Sequence, residues 1–186
     1  MSKKKNKPER SIKSLKDVEQ AVTSDYIAGD LLDELLSKLI RSVEVAKASR
    51  EGLPEKIWMK QQFCVGVNDV TRVLERMPAT ASSHSVCSSE GSTRTVLRRA
   101  PLVPLQAVLV AADCNPKWLT KHIPILASTR QVPILCIKDN RGSSLRLGQV
   151  ANVRTALAIG IKARGSIINE TIDEVLKASK PVVDEQ

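Results

Sequence analysis

Residues 63–76 read Phe63-Cys64-Val65-Gly66-Val67-Asn68-Asp69-Val70-Thr71-Arg72-Val73-Leu74-Glu75-Arg76, and within them the hydrophobic period changes. The first four are a short, mostly apolar run closed by glycine, the pattern of a short strand. After it, Val70, Val73, Leu74 and Met77 recur at three- and four-residue spacing. That spacing predicts a helix through Arg76 with those side chains on its buried face. A strand that passes directly into a helix is the unit of a layered α/β fold, and the flanking sequence repeats the alternation.

Upstream, Leu32, Leu35, Leu36, Leu39, Ile40 and Val43 continue a helical pattern that begins at Ile27, with Asp30, Asp33, Glu34, Lys38 and Arg41 on the opposite face. Gly52 is placed to end that helix, and Pro54 to open a second one through Gln62. Downstream, Leu105–Ala112 is a continuous apolar run, as expected of a strand buried on both faces. Asn115 and Pro116 offer an N-cap and a first-turn proline for a helix through Ser128 that buries Leu119, Ile123 and Leu126. Strands are expected at 133–137 and 155–161, with a short helix over 145–150 between them. A closing helix carries Ile168, Ile172, Val175 and Leu176, with Ser166 placed to cap it. The expected architecture is a three-layer α-β-α sandwich with a small mixed sheet.

The domain is expected over residues 23–180. Residues 1–22 form a basic tail and 181–186 a second tail. Residues 79–95 contain six Ser and three Thr with almost nothing large and apolar, so 78–103 reads as a flexible insertion inside the domain. Apolar residues make up 42% of the 186-residue chain but aromatic residues only 2%, so the core must be aliphatic. The longest apolar run is far too short to span a bilayer.

A formal net charge of +9 favours a polyanionic partner, because each Lys or Arg placed on a phosphate releases condensed counterions. Seven basic residues (Lys3, Lys4, Lys5, Lys7, Arg10, Lys13 and Lys16) stand against Glu9 alone in residues 1–16. That segment suits phosphate contact or nuclear targeting, and the two are compatible. Cys64, Cys87, Cys114 and Cys136 form no CxxC pair, and His84 and His122 complete no zinc spacing, so no metal site and no cofactor are expected. Reduced thiols fit a cytosolic or nuclear protein. Nucleotide-binding glycine loops and nucleophile elbows are missing, and Ser83-His84-Ser85 is an adjacency rather than a catalytic pair, so an enzyme is not expected. Trp58 and Trp118 could stack on bases, but their apolar helical surroundings favour packing in the core or against a subunit.

The stretch that could carry function is the start of the helix after Gly66. Asn68, Asp69 and Arg72 fall on one face, since Arg72 is four residues past Asn68 and three past Asp69. The set suits guanine: Arg72 can donate to O6 and N7, and Asp69 can accept from N1 and N2. A-form RNA hides these edges in a deep, narrow groove, so a short helix can read them only on a distorted duplex. The competing reading is that Asn68 caps the helix while Asp69 and Arg72 form a surface ion pair.

The segment Gly66–Arg76 resembles the signature of the kink-turn-binding superfamily of ribosomal L-seven-Ae and L-thirty-e proteins. The likeness continues through Val108–Ala112, Asp113-Cys114-Asn115-Pro116, Pro133–Ile137 and Leu147-Gly148-Gln149-Val150-Ala151-Asn152-Val153, so it spans roughly residues 53–175. Gly52-Leu53-Pro54 leading through Gln62 into the signature, and the Val70-Thr71-Arg72 triplet, look closest to the Pop-three-like branch found in RNase P and RNase MRP. The resemblance implies a non-catalytic, nuclear and nucleolar protein of precursor tRNA and rRNA processing. Its partners would be a structured RNA with a kink-turn and the other protein subunits; ribosomal and snoRNP proteins, and protein-interaction scaffolds, share the fold. It further implies that Gly66, Asn68, Asp69 and Arg72 meet the tandem G·A pairs, and that Ala151, Asn152, Val153 and Arg154 meet the flipped-out nucleotide and bulge. Two positions depart from the pattern: Asp69 stands where glutamate is usual, and Asn152 where many members have glycine.

Overall fold

The computed structural model of the chain describes residues 26–50, 52–79 and 102–178. The basic segment 1–22, the centre of the Ser-rich stretch with His84 and Cys87, and the tail 181–186 lie outside the described residues. In chain order the elements are α1 (Asp30–Ala48), α2 (Glu55–Gln62), β1 (Phe63–Val65), α3 (Val67–Arg76), β2 (Leu105–Ala111), α4 (His122–Ser128), β3 (Ile134–Ile137), α5 (Ser143–Val150), β4 (Ala158–Lys162) and α6 (Ile167–Ala178).

The described strands form one sheet in the order β1-β4-β2-β3. β4 runs antiparallel to both neighbours, while β2 and β3 are parallel, so the sheet is mixed. Alternation along the strands divides the core in two. Ala107, Leu109, Ala111, Ile159 and Ile161 face one side, where Leu35, Leu39, Trp58, Leu147 and Ile168 bring in α1, α2, α5 and α6. Cys64, Val108, Val110 and Ala158 face the other, under Val70 and Leu74 of α3 and Ile123 and Ala127 of α4. This is the expected three-layer α-β-α sandwich. Its core is mostly aliphatic, with Phe63 and Trp58 buried among the Leu, Ile and Val side chains, and each fully buried Leu or Ile contributes roughly 1.5–3 kcal/mol.

Four local expectations are corrected. Ile27 is not helical: it forms an isolated parallel bridge with Ile137, and α1 begins only after Gly29, whose φ is 64°. That helix ends at Ala48, before Gly52, which adopts φ 74° in the turn to Pro54. The helix expected from Pro116 to Ser128 is broken into a 3-10 turn at Lys117–Leu119 and α4. Pro124 explains the break, because inside a continuous helix it would lack an N–H and clash with the preceding turn. In α4 it sits in the first turn, where no N–H is needed. Finally, β4 starts at Ala158 rather than Thr155, because the preceding residues fold back onto α5, with Ala156 N–H donating to Ser144 O at 2.9 Å.

The tryptophans also separate. Trp58 is 5% exposed and belongs to the core, whereas Trp118 is 68% exposed, so core packing fails for Trp118. Cys64 and Cys114 are buried free thiols and Cys136 is half-buried. At the start of α6 the Ser166 N–H donates to Asn169 Oδ1 at 2.9 Å, so the capping contact runs from Asn169 back to Ser166.

Candidate nucleic-acid interface

Strand directions decide which loops share a rim. β1 ends beside the start of β4 (Val65 opposite Ile159), β2 ends beside the same start (Val110 opposite Ala158), and β3 ends beside β2 (Ile137 opposite Ala111). The start of α3, the 151–157 segment, the turn after β2 and the loop after β3 therefore emerge at one end of the sheet. Two backbone bonds hold the junction: Gly66 N–H donates to Ala158 O at 2.8 Å, and Ala111 N–H to Leu157 O at 2.9 Å.

Gly66 makes the first element possible. Its φ of 101° lies where a side chain is strained, and there the chain turns from β1 into α3 within one residue. α3 begins at Val67, and Gly66 stands at the N-cap without any side-chain cap. Asn68 is thus inside the first turn and is not the cap. The first intrahelical bond runs from Val70 N–H to Gly66 O at 3.1 Å, leaving the N–H groups of Val67, Asn68 and Asp69 directed out of the helix start. Val70 and Leu74 are fully buried, which fixes the rotation of the helix and puts Asn68, Asp69 and Arg72 on the exposed side. Among the described residues, no hydrogen bond or ion pair engages Asn68, Asp69 or Arg72. The ion pair between Asp69 and Arg72 that the sequence allowed is not formed. Thr71 beside them shares a hydrogen bond with His122 Nε2 at 2.7 Å, tying α3 to α4.

The second element is held in another way. Gly148 lies inside α5 against the loop that follows. A Cβ there would stand 2.7 Å from Val153 O, 2.9 Å from Arg154 O and 2.9 Å from Thr155 Cα. All three are backbone atoms, so the loop lies on α5 only because residue 148 has no side chain. Val153 N–H donates to Gly148 O at 3.0 Å, and Asn152 N–H to Gln149 O at 3.3 Å. Asn152 takes a left-handed φ of 53°. Its Nδ2 donates to Glu55 Oε1 at 2.9 Å, and the same oxygen sits 2.7 Å from Lys47 Nζ. The Lys47 ammonium and the Asn152 amide hold the Glu55 carboxyl below the usual carboxylate range. Ala151 is buried, while Val153 is 41% exposed and Arg154 is exposed.

All eight residues singled out in the sequence therefore belong to this one rim, but in different roles. Asn68, Asp69, Arg72, Val153 and Arg154 present side chains outward. Gly66 and Ala151 shape the backbone, and the Asn152 amide is engaged by the protein itself. Sequence reasoning missed Gly148 and Glu55. A glycine inside a helix was the available signal for the first, whereas nothing marks Glu55 as the partner of a residue 97 positions away.

The rim carries a usable electrostatic asymmetry. Asp113 accepts from the Ser144 N–H and hydroxyl at about the start of α5, and Asp139 lies 3.7 Å from Arg146 and accepts from Arg141 N–H. Two carboxylates are thereby engaged locally, while Arg72, Lys117 and Arg154 are exposed without an ion pair among the described residues, against the exposed carboxylate of Asp69. Such a surface attracts phosphate. The described residues hold no cluster of metal-ligating side chains.

Residues 92–169 match the family described as "Ribosomal protein L7Ae/L30e/S12e/Gadd45 family". The match includes β2, α5 and the 151–157 loop, and leaves Gly66–Arg72 outside it. Among solved structures, the Giardia lamblia 15.5kD RNA binding protein has the same fold, with a TM-score of 0.50 and 18% identity over 82% of this chain and 90% of that one. A protein with unknown function from Bacillus halodurans aligns with a TM-score of 0.43 and 12% identity over 77% of this chain and 96% of that one.

Proposed function

We propose that this protein binds a kink-turn in a structured RNA through the rim formed by Gly66–Arg72 and Ala151–Arg154, and acts as a non-catalytic subunit of a ribonucleoprotein. One observation carries the reading: the Gly66–Ala158 junction brings the outward side chains of Asn68, Asp69 and Arg72 and an exposed Val153–Arg154 loop to the same end of the sheet. Asn68, Asp69, Arg72 and the free N–H groups of the first turn would read sheared guanines and one phosphate. Val153 would pack on an extruded nucleotide, and Arg154 would reach the backbone. The match of residues 92–169 and the fold shared with an RNA-binding protein support the same class of ligand.

Within that class, the Gly52-Leu53-Pro54 approach to the signature and the arginine at Arg72 favour the RNase P and RNase MRP branch, with action in precursor tRNA and rRNA processing in the nucleus and nucleolus. Other protein subunits of that particle would be its neighbours. Catalysis would belong to the particle, and no residue here is assigned a catalytic role.

The test compares affinity for a kink-turn RNA with affinity for the same RNA whose G·A pairs are replaced by Watson–Crick pairs, at two salt concentrations. The expected result is a preference of about 100-fold or more, roughly 2.8 kcal/mol, that persists at the higher salt. Equal, steeply salt-dependent binding of both RNAs would assign the affinity to charge alone and favour a protein scaffold instead.

A further inference from the structure

The carboxamide of Asn152 raises a question that the RNA reading does not answer. It sits at the apex of the proposed RNA-contacting loop, yet it is turned inward onto Glu55. Its backbone is left-handed, a conformation that glycine adopts freely and that a residue with a Cβ adopts at a cost. Asparagine is among the residues that tolerate it, provided its side chain finds a local partner. Here the partner is Glu55 at 2.9 Å, and Glu55 is held in turn by Lys47 at 2.7 Å. Three separate pieces of chain meet at this point: the last turn of α1, the first residue of α2 and the loop after α5. A carboxylate is favoured at the first residue of a helix by the helix dipole, so Glu55 is stabilised where it stands.

We infer that Glu55 is a positioning residue for RNA binding: it fixes the left-handed turn at Asn152, and thereby the direction of Val153 and Arg154, without touching RNA. The inference rests on the RNA reading above. The loop already has a backbone tether, Val153 N–H to Gly148 O, which sets its distance from α5. The Asn152–Glu55 bond adds what that tether cannot supply, a fixed rotation of the loop apex relative to α2. Lys47 has a part too: its ammonium, 2.7 Å away, holds the Glu55 carboxylate in place for its charge-assisted bond to Asn152.

A double-mutant cycle on the full chain tests this, with kink-turn RNA as the probe and thermal unfolding followed for each variant. Glu55→Ala is expected to weaken binding about tenfold, the scale of one charge-assisted hydrogen bond. Glu55→Gln, which keeps an oxygen acceptor, should retain most of the affinity. Asn152→Gly removes the partner of Glu55 while glycine holds the turn unaided, so its own affinity is the reference for the second arm of the cycle. In that background Glu55→Ala should cost nothing further, since the residue acts only through Asn152. A tenfold loss in both backgrounds would overturn the inference, as would parental affinity of Glu55→Ala alone. If the parent itself does not prefer the kink-turn to the Watson–Crick control, the RNA reading fails and this inference falls with it, a result distinct from either of those.

Discussion

The start of α3 and the 151–157 loop lie at the same rim, yet they are built on opposite principles. On α3 the backbone is rigid because it is a helix seated by fully buried Val70 and Leu74, and among the described residues the side chains of Asn68, Asp69 and Arg72 carry no internal bonds. In the loop the backbone is irregular, and its shape depends on contacts with α5 and α2. One surface is therefore free to exchange water for ligand at each side chain, while the other must preserve its own bonds to keep its shape. The difference teaches that, under the proposed function, binding and stability would be separable at α3 and coupled in the loop.

The largest test of that contrast is Gly148→Ala. Its Cβ would press on three backbone atoms, which cannot move aside as a side-chain tip can. The variant is expected to lose about 3 kcal/mol of stability in denaturant unfolding, the upper end for an overpacked site, and to lose RNA affinity as well. Asn68→Ala should behave in the opposite manner. It should weaken kink-turn affinity by about 2 kcal/mol, the scale of a lost base contact. Its unfolding free energy should stay within about 0.5 kcal/mol of the parent, because the Asn68 side chain has no internal partner to lose. If Asn68→Ala destabilised the fold as much as Gly148→Ala, the two elements would not differ as described.

The smallest effect concerns the seat beneath α3. Burial pushes the Cys64 thiol up from 9.0 to about 11, beside Gly160, whose carbonyl it contacts at 3.5 Å. The unfolded thiol loses its proton first as pH rises. Cys64 therefore costs the fold nothing below pH 9 and destabilises it increasingly up to about pH 11. Unfolding followed from pH 8 to 10.5 should show the parent losing stability relative to Cys64→Ala across that window. Parallel curves would mean that the thiol is more open to solvent than its burial implies.

Much of this fold is legible in the sequence because its strands and helices have different periods. The run Leu105–Ala111 and the periodic leucines of α1 gave their elements directly, as did the passage from Phe63 into α3. Errors arose where a single residue overrides the pattern. Pro124 divides a helix that the apolar spacing alone would join, and Gly29 keeps Ile27 out of α1. The candidate site splits along the same line. Asn68, Asp69 and Arg72 are readable because helical spacing brings them together within five residues. The Asn152–Glu55 bond and the closeness of Gly148 to Thr155 are products of tertiary packing, and no local pattern encodes them. Trp118 lies outside the core for a related reason: the expected helix is here a 3-10 turn followed by a break.

The short bridge at Ile27 has a bearing on how this molecule behaves at high concentration. β3 is an outer strand of the sheet, and Ile27 lies along it, donating its N–H to Cys136 O at 2.8 Å and accepting from Lys138 N–H at 3.0 Å. An open strand edge is a template for pairing with another chain, and Ile27 covers part of this one before the first helix begins. On the opposite side the outer strand is β1, only three residues long, which offers a poor template. Among the described residues the sheet therefore leaves little open edge for self-association.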